Sequence, residues 1–258
     1  MPYQIHRNFD QYSNPSEIIV WRYMSLNTLL SVIKYQTLRF TKISEWYDLN
    51  EGHAEPFTIQ TLSEELKTPS CTQQVVDALN YSRNEAKSKV FANCWSVNDR
   101  ENILMWLSSY GSSNNENVGV AIKTNLEVLY SSIIDERNIY SGVVYYEKFP
   151  FTPKIGNVYI DCVVKDIQYK DEREHRLFYI GHDSDANASI KYKDIKIDTS
   201  QLIKEIYINP TSTDEDYEYV LQSIIECDRN LNFNLNKSSI HYKQRDFKYN
   251  LTKKDLNV

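Results

Sequence analysis

The segment that most constrains this chain covers residues 165–180 and reads Lys-Asp-Ile-Gln-Tyr-Lys-Asp-Glu-Arg-Glu-His-Arg-Leu-Phe-Tyr-Ile. Glu172, Glu174 and Arg176 stand at alternate positions, and an apolar run follows at 177–180. Over 172–180 the pattern predicts a strand, whose two-residue period puts those charges on one face and His175 on the other. Charge carried into an apolar strand is costly unless it is paired or lines a polar cleft. The segment is therefore either an internal ion-pair ladder or the wall of a site. His175, on the opposite face, is given no catalytic role.

The rest of the chain supplies layers around this strand. Residues 18–23 (Ile-Ile-Val-Trp-Arg-Tyr) predict another strand, and Ser25 caps a helix whose apolar positions are Leu26, Leu29, Leu30 and Ile33. A strand at 37–41 completes the opening unit. Arg22, inside the first strand, is either a sheet-edge charge or an anchor for a carboxylate or phosphate. A polar turn follows, in which Asp48, Glu51 and His53 lie beside Trp46 and Tyr47. Loops after strands commonly carry function. Residues 59–89 predict a helical insertion broken near Pro69. Further strands are predicted at 90–96, 117–122, 190–197 and 203–208, and helices at 101–110, 127–134 and 214–227. Residues 139–147 and 158–169 read as extended or mixed. With no repeat and no linker, the expectation is one α+β domain over 1–258, a central twisted mixed sheet with flanking helices. The strands at 18–23 and 172–180 should lie close together in it.

Composition narrows the function classes. The chain has 258 residues, 41% hydrophobic and 25% charged, as a globular protein does. With 6 Gly it carries neither a GxGxxG pattern nor a P-loop. The 20 tyrosines are read as strand formers. A net charge of −6 argues against a general nucleic-acid binder. The basic C-terminal segment, 229–258, with Lys237, Lys243, Arg245, Lys248, Lys253 and Lys254, is a local exception, read first as a solvated tail and second as a surface for phosphates and so for nucleic acid. Cys71, Cys94, Cys162 and Cys227 show no zinc spacing and read as reduced, mostly buried thiols. No apolar run suits a membrane or a signal core, so a cytoplasmic protein without a membrane partner is expected.

Several separated stretches, from Arg22 to Pro210, together resemble the bacterial domain-of-unknown-function family 2971. They are Trp21-Arg22-Tyr23-Met24-Ser25 with Leu29 and Ile33, then Trp46-Tyr47-Asp48-Leu49-Asn50-Glu51-Gly52, where Tyr47 and Leu49 depart from the family's asparagine and proline. Next come Cys94-Trp95-Ser96, Asn102, Met105-Trp106, Tyr110 and Gly119. Last is Lys165, Tyr169, Glu172, Glu174 and Arg176, similar to the family's Lys-x-x-x-Tyr-x-x-Glu-x-Glu-x-Arg. The family name implies no activity. More loosely, an Arg on an early strand and a late Glu-x-Glu resemble the ADP-ribosyltransferase layout. That resemblance implies NAD as co-substrate and no metal. Arg22 would anchor NAD, with Tyr23, Ser25, Asp48, Glu51 and Arg176 around it. Glu174 would stabilise the cationic ribosyl transition state, and Glu172 would serve the acceptor.

Other readings stay open. One is hydrolysis by paired carboxylates, with Asp48 and Glu51 facing Glu172 and Glu174 at the rim of one pocket. A hard cation such as Mg²⁺ on those acids with His53 is a weaker version of it. Another is a non-catalytic module, in a defence or stress response, that binds or senses a small molecule. There the charged row is a ladder, and Trp95 and Trp106 belong to the core.

Overall fold

The computed structural model describes residues 11–46, 56–67, 71–110, 118–149, 159–187 and 189–240. The opening unit forms as its pattern dictates. After β1 (Ile19–Ser25), the Ser25 hydroxyl accepts the Thr28 amide and starts α1 (Leu26–Tyr35). Leu26, Leu29, Val32 and Ile33, three and four residues apart, form its buried face. Gln36, left-handed at φ 52°, ends it, and β2 (Thr37–Lys42) follows. The helical insertion is two helices, α2 (Ile59–Leu66) and α3 (Gln73–Lys87), the first opened by a Thr58–Thr61 capping box.

β3 (Val90–Val97), α4 (Ile103–Tyr110), β4 (Gly119–Asn125) and α5 (Leu126–Ser131) come next. Then follow β5 (Ile139–Val143), β6 (Tyr145–Glu147), β7 (Val164–Asp166) and β8 (Glu174–Ile180). The chain goes on through β9 (Tyr192–Lys196), α6 (Thr199–Leu202), β10 (Glu205–Ile208), α7 (Asp214–Cys227) and β11 (Asn234–Lys237). The fold is α+β, a mixed 9-stranded sheet with flanking helices. Its pairs are antiparallel except β10 with β11. A separate parallel pair joins β6 to β7.

β3 is the junction of the sheet. Along one edge it pairs with β8 from Val90 to Ser96, and β8 in turn pairs with β5. The other edge is shared: Ser96 and Val97 meet β1, while Phe91 and Ala92 meet β2. Between those contacts β1 and β2 diverge, leaving a fork opposite residues 93–95. β1 leads on to β4, β10 and β11, and β2 leads to β9. β1 and β8 thus flank the same strand, as expected.

The two sides of the sheet are covered differently. The largest core lies under α1, where Val20 and Met24 of β1, Phe91 and Trp95 of β3 and Leu177 and Tyr179 of β8 point. α7 packs on α1 and adds Val220 and Ile224. On the other side Trp21 and Ala121 pack against Trp106 of α4. Further along that side, Ala92 and Phe178 meet Ile43, Cys162 and Val163. Trp95 and Trp106 are both core residues.

Several boundaries differ from the sequence reading. The late strand begins at Glu174, not Glu172, because residues 167–172 form a 3₁₀ turn and Arg173 is left-handed at φ 46°. Residues 160–172 are mostly such turns, with only β7 extended. Among the cysteines only Cys162 is fully buried; Cys71, Cys94 and Cys227 are half-buried. The first part of the basic C-terminal segment is not a solvated tail but β11, where Lys237 pairs with Asp214 of α7. Among the described residues no helix is long and apolar enough to cross a membrane.

Candidate functional site

Glu174 and Arg176 leave β8 on the side away from α1, as their alternation requires, and they are paired. One Glu174 oxygen accepts from Arg176 Nε at 2.7 Å, and the other from Lys165 Nζ at 2.6 Å. Arg176 also donates to the Cys162 carbonyl at 2.7 Å and lies over the Trp46 ring at 4.6 Å. The Glu174 amide donates to the Tyr146 hydroxyl at 2.7 Å. Lys165 comes from β7, which β6 positions beside the start of β8. All three charged groups are buried. Pairing is what makes that burial tolerable.

Glu172 joins them by another route. The 3₁₀ turn and left-handed Arg173 swing it back so that its carboxylate meets the same Lys165 ammonium at 2.6 Å. Tyr169 from that turn places its ring 4.8 Å from Lys165 Nζ. The segment Lys165, Tyr169, Glu172, Glu174 and Arg176 is therefore one spatial cluster. Its carboxylates differ sharply in surroundings. Glu172 keeps 28% of its side chain exposed, against 8% for Glu174.

That difference separates their proton affinities. Burial raises the Glu174 carboxyl, but the Arg176 and Lys165 charges outweigh it and hold the group far below the usual carboxylate range. For Glu172, burial and the neighbouring Glu174 carboxylate outweigh Lys165 and push its pKa up to about 7. The pair thus holds one carboxylate fixed as an anion and one that exchanges its proton near neutrality, a pattern associated with acid–base catalysis.

Of the other residues singled out in the sequence, those that are described stand apart from this cluster. Arg22 leaves β1 on the α1 side, with Val20 and Met24, so its direction opposes that of Glu174. β3 lies between them, about 10 Å from strand to strand. Arg22 donates to the Cys94 carbonyl at 2.6 Å across the fork, and its guanidinium lies 6.0 Å from the Trp95 ring. Tyr23 points to α4, stacks edge-on against Trp106 at 4.8 Å, and accepts from the Asn102 amide. The Ser25 hydroxyl is engaged as the cap of α1. Asp48, Glu51 and His53 lie outside the described residues, so the expectation that the acids share the Glu174 pocket falls there too.

His175 points into the α1-side core, as its parity predicts, and is wholly buried. Its Nε2 meets the Tyr130 hydroxyl at 2.7 Å, and its Nδ1 has no hydrogen-bond partner among the described residues. Burial lowers its pKa to about 3, so it is neutral at pH 7. The Cys162 thiol is pushed up to about 12 by burial, which removes it as a nucleophile. Among the described residues no group of His, Cys, Asp and Glu is arranged to hold a metal ion.

The fork was not foreseen. It is closed on the core side by Asn93, whose amide donates to the Arg39 carbonyl of β2 at 2.8 Å and accepts from Trp95 Nε1 at 2.8 Å. An isolated asparagine in Val-Phe-Ala-Asn-Cys-Trp was the available signal, since a buried amide must find partners. A cavity of about 390 Å³ opens in the fork, bounded by Arg22, the outer residues of α1, and β2. None of Lys165, Glu172, Glu174 or Arg176 lines it.

Compared with protein-family models, with curated proteins and with solved structures, the chain matches none. The resemblances described above rest on the residues quoted for them.

Proposed function

We propose that this protein is an acid–base enzyme whose proton-transferring group is Glu172, with Glu174, Lys165 and Arg176 holding it in place. The observation that carries the reading is the paired but unequal carboxylates: Glu174 sealed between two cations, Glu172 half-exposed on the same lysine. A sealed, neutralised carboxylate is poorly placed to stabilise a substrate cation. Glu174 is therefore a positioning residue here, and the reacting role passes to Glu172.

The layout resemblance makes transfer from NAD the first reaction to test. The bond from ribose C1′ to the nicotinamide nitrogen breaks, and its electron pair leaves with neutral nicotinamide. An acceptor hydroxyl or water bonds to C1′, and its proton passes to the Glu172 carboxylate. A group with a pKa near the working pH is well matched to that transfer. Arg22 is not required by this reading.

Two measurements test it. A ¹³C titration of the glutamate carboxyls is expected to show one group near pH 7 that vanishes in Glu172→Gln. Free nicotinamide released from NAD should rise through that same pH and fall by about 10²-fold or more in Glu172→Gln, with NAD binding little changed. A Glu172 titrating in the ordinary carboxylate range would remove the basis of the proposal. Absence of both NAD binding and nicotinamide release would remove NAD from it.

The ladder reading has its own support in the full occupancy of both Glu174 oxygens by Lys165 and Arg176. On that reading Glu172→Gln changes no turnover, and the cluster only ties β7 to β8.

A further inference from the structure

We infer that Asp161 is a positioning residue for Glu172, and that through it the helical insertion α2–α3 sets the geometry of the carboxylate pair. The inference rests on the proposed role of Glu172 and concerns what holds that group in place. It begins with a 3₁₀ turn, Ile160–Val163, whose consecutive residues face two different partners. The Asp161 carboxylate meets Arg83 and Lys87, one helical turn apart on α3, the lysine at 3.4 Å. The next residue offers its carbonyl to Arg176, which is bonded in turn to Glu174. β7 follows the turn with no linker and places Lys165, three residues beyond Cys162, on both Glu172 and Glu174. A continuous series of bonds thus runs from α3 to the half-exposed carboxylate.

What Asp161 adds is direction. α2 and α3 close on a small core of their own, with Phe57, Leu62 and Val76, separate from those of the sheet. Along α3, the Asn80 amide brackets the Phe57 backbone with two hydrogen bonds, and the Arg83 guanidinium lies 5.0 Å from the Phe57 ring. Arg83 and Lys87 carry that arrangement on to the turn. Both are buried, as is Asp161. Buried ionic groups add little net stability over apolar side chains of similar volume, whereas their directional bonds fix a register.

The site has little tolerance for a shift of that register. Lys165 stands 2.6 Å from each of two carboxylates at once. Moving the turn by about 1 Å would carry β7 with it and take one of those pairs out of hydrogen-bond range. Glu172 would then lose the cation that opposes its burial. A misplacement of this size is enough to slow a reaction roughly 10²-fold.

Asp161→Asn tests the inference, because it keeps the shape and an acceptor oxygen but withdraws the charge that holds both cations. A lower melting temperature is expected on any reading and decides nothing alone. The ¹³C titration of Glu172 is expected to move upward by at least about 0.5 pH unit as Lys165 withdraws. Nicotinamide release at pH 7 should fall by about tenfold or more with NAD binding little changed. If Asp161→Asn does not fold, Lys87→Met keeps the Arg83–Asp161 bond and should move the same titration upward by at least about 0.2 pH unit. Should the wild type release no nicotinamide, the titration alone decides. A wild-type Glu172 titrating in the ordinary carboxylate range would overturn the role of Glu172 and this inference with it. A wild-type titration near pH 7 that is unmoved in the folded variant would overturn the role of Asp161 alone.

Discussion

Consecutive residues of β8 meet opposite solutions to the same problem. On the side away from α1, Glu174 and Arg176 carry charge into the interior and are matched there by Lys165, by each other and by a carbonyl. On the α1 side, His175 enters a hydrophobic core and avoids charge altogether, staying neutral with one ring nitrogen unpartnered among the described residues. The comparison teaches that burial alone does not decide whether a group is ionised. Cations within hydrogen-bond distance overcome it and keep Glu174 charged, whereas at His175 burial is not offset by a neighbouring anion and the ring stays neutral.

The strongest way to break this comparison is to remove a cation. Arg176→Leu leaves the buried Glu174 charge without the guanidinium that neutralises one of its oxygens. A loss of about 3–5 kcal/mol in unfolding free energy is expected from denaturant titration. Glu174→Met combined with Arg176→Leu should recover much of it, since an apolar pair of similar volume needs no compensation. A loss below about 1 kcal/mol in the single variant would show that the cluster is not what makes the charge tolerable.

Acidification probes the other side. His175 has a folded pKa lowered to about 3 from 6.5, so the unfolded chain takes up the proton first. Its contribution is present above pH 6.5 and is lost as pH falls toward 3, on the order of 5 kcal/mol over the full window. Glu172 acts with the opposite sign. Its folded pKa is raised from 4.5 to about 7, so stability from this group is present below 4.5 and lost as pH rises through 7. Measuring unfolding free energy between pH 4.5 and 7 in His175→Gln should therefore leave a curve that falls with rising pH, and in Glu172→Gln one that rises. Parallel curves in the two variants would contradict the assignment.

Smaller effects sharpen the contrast. Asn93 is a polar residue on the hydrophobic side, held by the Arg39 carbonyl and Trp95 Nε1. Asn93→Ala strands both partners and is expected to cost about 1–3 kcal/mol, read from thermal and denaturant melts. Glu172→Gln at pH 7 should change stability by less than about 1 kcal/mol, because the group is partly exposed and already exchanges its proton there. Its expected effect falls on turnover, which is what separates a catalytic from a structural role for this residue.

What the sequence disclosed follows from the range over which each feature is encoded. The faces of Glu174, His175 and Arg176 were legible because strand parity is local. The opening strand–helix–strand was legible for the same reason, from Ser25 and the spacing of α1. Glu172 was misplaced on the strand because a non-glycine left-handed residue, Arg173, is not visible in a pattern of apolar positions. Lys165 entered only through the family resemblance, since its partners are set by a turn that reverses the chain. The fork was invisible. Which strands share an edge of β3 depends on pairings between distant segments, and Arg22 bonds to a carbonyl 72 residues away.

The junction at β3 also bears on how the chain reaches this state. β1 and β2 follow one another within the first part of the sequence, yet neither has its neighbour in the sheet until residues 90–97 have been made. β3 itself lacks its longest partner until β8, some 80 residues later. Every edge of the junction closes a long loop, and such non-local topology places folding in the millisecond-to-second range, well behind that of helical bundles. During synthesis on the ribosome, β1 and α1 emerge with an unpaired edge and an uncovered apolar face. The junction strand thus sets the moment at which the nascent chain stops being vulnerable to aggregation.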